Sequence, residues 1–166
     1  MNRLGLAGAY LIAFILKPVM DGILPGHAGN GNLILCLTTV LIFLFDDYVP
    51  IITIGTVFAI LDDLVYGIYC GPEAISTLVV CLAIIAIKYF FNNENYLNAL
   101  IVIAVSTWLE YTVEWGIYCA TGATYTYGYV IKIILLNVIV NTIVGMIVYA
   151  VMYSRIRKKK YEKLYR

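Results

Sequence analysis

Long apolar runs, separated by short polar or glycine-containing breaks, make up almost the whole chain. Breaks such as Pro25-Gly26, Asp46-Asp47 and Gly71-Pro72 carry residue types that end helices and form turns. A run of about 20 apolar residues matches the length of a membrane-crossing α-helix. The pattern predicts an all-α membrane protein, a compact bundle of about six transmembrane helices over residues 4–24, 32–46, 50–70, 73–91, 96–120 and 129–153.

The second run, over residues 32–46, is shorter than the others. About 14 apolar residues in an upright α-helix span roughly 21 Å, less than the ~30 Å hydrocarbon core of a bilayer. We therefore expect this helix to be tilted or to enter the membrane only in part.

Composition supports a membrane location. Of the 166 residues, 63% are hydrophobic and 13% are charged, whereas soluble domains average roughly 45–50% and 25%. The breaks are too short to hold a soluble catalytic module, so residues 1–154 are predicted to form a single multi-pass domain. With a lone histidine and no C-x-x-C spacing, neither a structural zinc site nor another cofactor is expected.

Positive charge is concentrated at the C-terminus, in a basic tail over residues 155–166. Basic residues next to membrane helices normally stay on the cytoplasmic side. With six spans, this rule places both termini in the cytoplasm and predicts a multi-pass cell-membrane protein. The tail is expected to contact anionic lipid, and no nucleic-acid partner is predicted.

Ionisable residues interrupt several of the apolar runs. At the centre of a bilayer, a charged side chain costs roughly 2.5–3.5 kcal/mol on insertion scales. The residues concerned must therefore face one another, a cation or a wet cavity: Lys17, Asp62, Asp63, Glu110, Glu114 and Lys132.

Three of these residues are predicted to share one depth. At 1.5 Å per residue, Lys17, Asp63 and Glu110 each lie about 20 Å from the inner end of their helices. We therefore expect an outward-facing polar cluster or shallow cavity, with Lys17 and Lys132 compensating some of the acids and Glu73 at the outer rim.

Small residues suggest where helices pack closely, since small-x-x-x-small spacing lets helix backbones approach. The first helix carries Gly5, Ala9 and Ala13 at four-residue intervals below Lys17. The last helix carries Asn137, Asn141 and Gly145, and its two amides need partners inside the protein. These side chains are predicted to lie between helices.

Catalytic motifs are missing from the sequence. It has no Ser/His/Asp set, no H-E-x-x-H and no glycine-rich phosphate loop. Asp62 and Asp63 are adjacent on a helix and point about 100° apart, so they cannot share a proton between them. We expect the protein not to be an enzyme.

The third run resembles the central stretch of the MreD family of rod-shape-determining membrane proteins. That family carries a pattern close to G-x-x-x-G-L-x-x-D-x-x-x-G-x-x-x-G-x-x-A-L. Here Ala59 replaces a glycine, and Ile60 and Ile75 replace leucines. The positions that match in spacing are Gly55, Asp63, Gly67, Gly71 and Ala74.

Two further features fit this resemblance: Glu110-Tyr111 in the fifth helix, and Asn141 followed by Tyr149 and the basic tail in the last. The resemblance implies a non-enzymatic scaffold of the elongasome, which supports lateral peptidoglycan synthesis and cell shape. It also implies an MreC-like single-pass coiled-coil partner and, through it, RodA and a class B penicillin-binding protein. The acids would then shape the docking surface, while Gly55, Ala59, Gly67 and Gly71 would serve helix packing.

An alternative is the substrate-binding S component of an energy-coupling-factor vitamin transporter. Such proteins are also six-helix bundles, with a solute site on the outer side, and the MreD family is thought to share that general fold. An outer cavity lined by Lys17, Asp63, Glu110 and Glu114 would suit a cationic or amphipathic small molecule. An ion-coupled transporter is a third class, but the repeated halves typical of such proteins are not found.

Overall fold

The computed structural model describes residues 3–23, 31–67, 69–91, 95–124 and 126–164, with the side chains of 20–23 and 157–164 left out of the description. This part of the chain is helical and contains no strand. The elements are α1 (Arg3–Ile23), α2 (Leu33–Leu44), α3 (Val49–Tyr66), α4 (Pro72–Ile87), a 3₁₀ turn (Lys88–Phe90), α5 (Tyr96–Ala120) and α6 (Tyr127–Leu164).

Helix starts are set by local sequence. Asn32 precedes α2 and its side chain accepts the Leu35 N–H at 3.0 Å, while Asn95 precedes α5 and accepts the Leu97 N–H at 2.9 Å. Proline occupies the first turn of α3 and of α4, where its missing N–H costs nothing. The predicted all-α bundle is confirmed for the described residues.

Within the described residues, four helices are long and apolar enough to cross a membrane: Val49–Tyr66, Pro72–Phe90, Tyr96–Ala120 and Tyr127–Ile156. Many of their large apolar side chains are exposed, such as Leu82 at 67% and Ile147 at 61%. Apolar side chains on the outside are what a surface facing lipid requires, which indicates a membrane protein.

The short helix α2 forms the centre of the bundle. Ten of its twelve residues are buried, and it packs against the other five helices. At 1.5 Å per residue it is about 18 Å long, shorter than a ~30 Å hydrocarbon core. Because protein encloses most of this helix, it has little need to contact lipid, and its tilt or partial insertion stays a prediction.

Successive helices run in alternating directions. The end of α1 meets the end of α3 and the start of α4 through Lys17, Asp62 and Glu73. At the opposite end of the bundle, Lys88 follows α4 and donates to the Ile42 and Phe45 carbonyls that end α2, at 3.1 and 2.9 Å. A cation at a helix C-terminus satisfies carbonyls that lack partners within the helix.

Close helix contacts form at glycine and alanine positions, as predicted for some of them. A Cβ on Gly55 would lie 2.9 Å from Thr38 Oγ1, and one on Gly145 would lie 2.8 Å from Ile103 Cγ2. Ala59 and Ala13 are buried and Ala9 is partly buried. The prediction was wrong for Gly5, which is exposed with open space beside it.

Gly55→Val is expected to destabilise the protein, because the new side chain would displace the hydrogen-bonded hydroxyls of Thr38 and Tyr10, which lie 2.8 Å apart. Overpacking of this kind costs about 1–3 kcal/mol. Gly8→Val is the control, since nothing lies within 4 Å of a Cβ there. Apparent melting temperatures in one detergent would show the difference, and equal values for the two variants would contradict the packing described.

Candidate functional site

A polar cluster occupies the end of the bundle where α1, α3 and α5 finish and α2 and α4 begin. Its members are largely buried and belong to all six helices or to the residue preceding one. We call this set the polar cluster, and it comprises Lys17, Asn32, Asp62, Asp63, Glu73, Glu110, Glu114 and Asn141.

Lys17 is the cation of the polar cluster. It forms an ion pair with Asp62, and its Nζ lies 3.3 Å from Glu73 Oε2. The same Nζ lies 5.7 Å from the centre of the Tyr66 ring, within the range of a cation–π contact. Lys17 therefore joins α1 to α3 and α4 by electrostatic contacts that are shielded from solvent.

Asn32 joins three helices, α4, α5 and α6, to the start of α2. Its side-chain Nδ2 donates to Glu73 Oε1 and to Glu110 Oε1, both at 3.0 Å. Its backbone N–H donates to Asn141 Oδ1 of α6 at 2.8 Å. Together with the cap on Leu35, these bonds use every donor and one acceptor of this single residue.

Asp63 holds the turn between α3 and α4. Its carboxylate accepts the N–H groups of Gly71, Glu73 and Ala74 at 3.0, 3.2 and 3.1 Å. A carboxylate at a helix N-terminus satisfies free N–H groups and favours the helix dipole. Gly71 adopts φ +119°, which disfavours any side chain there. Asp63, Gly67, Gly71 and Ala74 of the α3 pattern thus form this turn. Gly67 and Gly71 were predicted to serve helix packing, but they serve the turn instead.

Glu110 and Glu114 lie one turn apart on α5. Glu110 is fully buried, and its Oε2 has no hydrogen-bond partner among the described residues. Glu114 Oε1 receives a long hydrogen bond, 3.4 Å, from the Ser76 hydroxyl of α4. Neither carboxylate forms an ion pair in the described part of the chain.

A cavity of about 280 Å³ lies at the polar cluster. Its wall combines carboxylates, one amine and aromatic rings. The lining residues are Lys17, Gly31, Asn32, Asp62, Asp63, Tyr66, Gly67, Glu73, Tyr111, Glu114 and Tyr118.

The structure brings together six of the eight polar positions singled out from the sequence: Lys17, Asp62, Asp63, Glu110, Glu114 and Asn141. Lys132 does not join them. It is exposed, and within the described ranges it forms no ion pair, so its expected role in compensating the acids was wrong. Asn137 is buried one turn from Asn141, and its Oδ1 has no partner among the described residues.

Two members of the polar cluster were underestimated from sequence. Glu73 was expected at the outer rim, but it is buried and contacts both Lys17 and Asn32. Asn32 was not selected at all. Its position directly before an apolar run is typical of a helix N-cap, but nothing in the sequence shows that its amide also reaches two other helices.

The chemistry of the cavity wall is set by its ionisable groups and aromatic rings. Within the described ranges, no group of three or more His, Cys, Asp or Glu side chains could hold a metal ion. Four carboxyl groups and a single amine line the cavity, together with tyrosine rings. Such a wall can receive hydrogen-bond donors and positive charge.

Comparison with protein-family models, with curated proteins and with solved structures gave no match to this chain.

Lys17→Leu is expected to destabilise the protein by on the order of 3 kcal/mol, because Asp62 would remain buried without its cation. The double variant Lys17→Leu/Asp62→Leu should recover much of that loss, since it removes both charges. Lys132→Leu, at an exposed position, is the control. Thermal unfolding in a fixed detergent measures all four proteins. A Lys17→Leu variant as stable as wild type would show that the ion pair is unimportant.

Asp63→Ala is expected to loosen the first turn of α4, because three N–H groups would lose their acceptor. The loss of a helix cap costs about 0.5–2 kcal/mol. Hydrogen exchange of a peptide covering residues 69–78 should speed up, while Asp47→Ala, at an exposed loop position, leaves it unchanged. Unchanged exchange in Asp63→Ala would contradict the capping role.

Proposed function

We propose that this protein is a non-enzymatic membrane scaffold of the MreD type, which binds an MreC-like single-pass coiled-coil partner in the bacterial cell membrane. On this proposal it supports lateral cell-wall synthesis by RodA and a class B penicillin-binding protein. The bundle would have both termini in the cytoplasm and the polar cluster toward the outside.

The observation that carries the proposal is the α3 pattern and the role of its residues. Gly55 allows α3 to approach Thr38 of α2 closely, and Asp63 caps α4 through the N–H groups of Gly71 and Ala74. Asp63, Gly71 and Ala74 together fix the turn that carries Glu73. The resemblance therefore follows residues with linked structural roles, which supports a shared local fold more strongly than a match of apolar residues would.

The distribution of exposed apolar side chains agrees with a scaffold function. The outer faces of α1 and α6 present large apolar side chains, including Ile12 at 60% and Ile143 at 59% exposure. A partner's membrane helix can pack on such a face, while its juxtamembrane segment contacts the polar cluster. A partner bound in this way would contact both the apolar face and the polar cluster, and neither contact needs a catalytic group.

The second candidate function is that of a substrate-binding S component of a vitamin transporter. The cavity of about 280 Å³ favours it, because a pure scaffold has no need for an internal space lined by charged groups. That volume is close to the lower end of small-molecule sites, which hold roughly 300–1,000 Å³.

Purification from the native host in a gentle detergent, followed by mass spectrometry, separates the two functions. The scaffold proposal expects a single-pass coiled-coil protein and cell-wall synthases to co-purify in amounts comparable with this chain. A matched multi-pass membrane protein, tagged and expressed at the same level, serves as the control. Recovery of an ATPase pair with a coupling subunit would instead establish the S-component function. Recovery of neither set of proteins would contradict both candidate functions.

A further inference from the structure

The cavity has an excess of carboxyl groups. Asp62, Asp63, Glu73 and Glu114 line it, and Lys17 is the only basic residue among its lining residues. Lys17 is already engaged by Asp62 and Glu73, and Asp63 by the backbone of α4. Carboxylates held together away from water require compensation by protons or by cations. The polar cluster supplies only one such cation.

Asp62 carries an independent sign of a ligand. The residue is 1% exposed and lines the cavity, yet its Oδ1 has no hydrogen-bond partner among the described residues. Buried hydrogen-bond acceptors normally have a donor, since leaving one without a partner costs about 1–3 kcal/mol, and more for a charged group. Its other oxygen, Oδ2, is paired with Lys17. A donor that enters the cavity and reaches Oδ1 would therefore satisfy a carboxylate oxygen that is buried without a partner among the described residues.

Glu114 provides a second acceptor. Its Oε1 receives only a hydrogen bond at the limit of length, 3.4 Å from Ser76 Oγ. It lies on the wall of the cavity contributed by α5, whereas Asp62 lies on the wall contributed by α3. The cavity therefore has carboxylates on two of its walls.

Aromatic rings complete the wall. Tyr66 and Tyr118 line the cavity, and Lys17 already lies over the Tyr66 ring at 5.7 Å. Faces of aromatic rings attract organic cations, and guanidinium groups also stack on them. The cavity volume of about 280 Å³ corresponds to several water molecules, each of which takes about 30 Å³ of the liquid. That space accommodates a small cationic head group.

We propose that this cavity binds an organic cation with an ammonium or guanidinium group, which donates to Asp62 Oδ1 and to the Glu114 carboxylate. The cation is either a free small molecule or the Lys or Arg side chain of a bound protein. This site goes beyond the scaffold function, because it would exist whether or not the expected partner binds.

Butylguanidinium is a suitable probe, and butylurea, of similar shape but neutral, is its control. Isothermal titration calorimetry uses the full chain in nanodiscs of zwitterionic lipid, so that lipid charge does not attract the probe. We expect saturable binding of one butylguanidinium per chain and none of butylurea. Equal heats for the two compounds, or no saturable binding, would overturn the proposal.

Glu114→Gln and Asp62→Asn test the two acceptors separately. Glu114→Gln disturbs only the long contact with Ser76, so it keeps the fold even if Asp62→Asn weakens it through Lys17. Each variant should bind the probe at least about tenfold more weakly, since a charge-assisted hydrogen bond is lost. Asp47→Asn, at the opposite end of α3, should bind as wild type does. Unchanged affinity in both cavity variants would overturn the assignment.

The source of the cation is then found with protein purified from the native host. Native mass spectrometry would show a retained small molecule as an added mass that Glu114→Gln loses. A carbodiimide instead links a carboxylate to a nearby lysine amine through an amide bond, with loss of water. A crosslink from Glu114 to a lysine of a co-purifying chain, mapped by peptide sequencing, would identify a side chain as the occupant.

Discussion

The ion pair between Lys17 and Asp62 is the interaction on which this end of the bundle depends. Charges in an apolar bundle must be compensated inside it, and one lysine meets that requirement for Asp62 and in part for Glu73. The contacts fix the end of α1 against α3 and α4. Among the described residues they also leave Glu110 and Glu114 without a cation of their own, which favours a positively charged group at this end of the molecule.

The hydrogen bonds of Asn32 extend this arrangement to the rest of the molecule. They connect the start of the buried helix α2 to Glu73, Glu110 and Asn141, and so to α4, α5 and α6. A helix of about 18 Å can remain inside the bundle because its first turn is held by these bonds and its last carbonyls by Lys88. Loss of Asn32 would disconnect the central helix from the polar cluster.

Much of the fold follows from the sequence because apolar runs and turn residues define helices locally. The sequence predicts the six helices in this way, and it also predicts that Lys17, Asp63 and Glu110 lie near one another toward one end of the bundle. Side-chain partners are not, because they depend on which helix faces which. Hence Lys132 was placed in the cluster by its charge alone, and Asn32 was overlooked because an N-cap looks the same whether or not its amide reaches a neighbouring helix. Asp63 lines the cavity, as predicted, but the sequence does not show that its oxygens also cap the backbone of α4.

The central claim is that the acidic cavity is completed by a positively charged group from outside the chain. A cryo-electron-microscopy map of the protein, bound to a rigid antibody fragment in nanodiscs drawn directly from its native membrane, tests it most directly. The account predicts density for a bound group within hydrogen-bonding distance of Asp62 Oδ1 and Glu114. A cavity holding only water, or closed by Lys17 turning to Glu114, would contradict it.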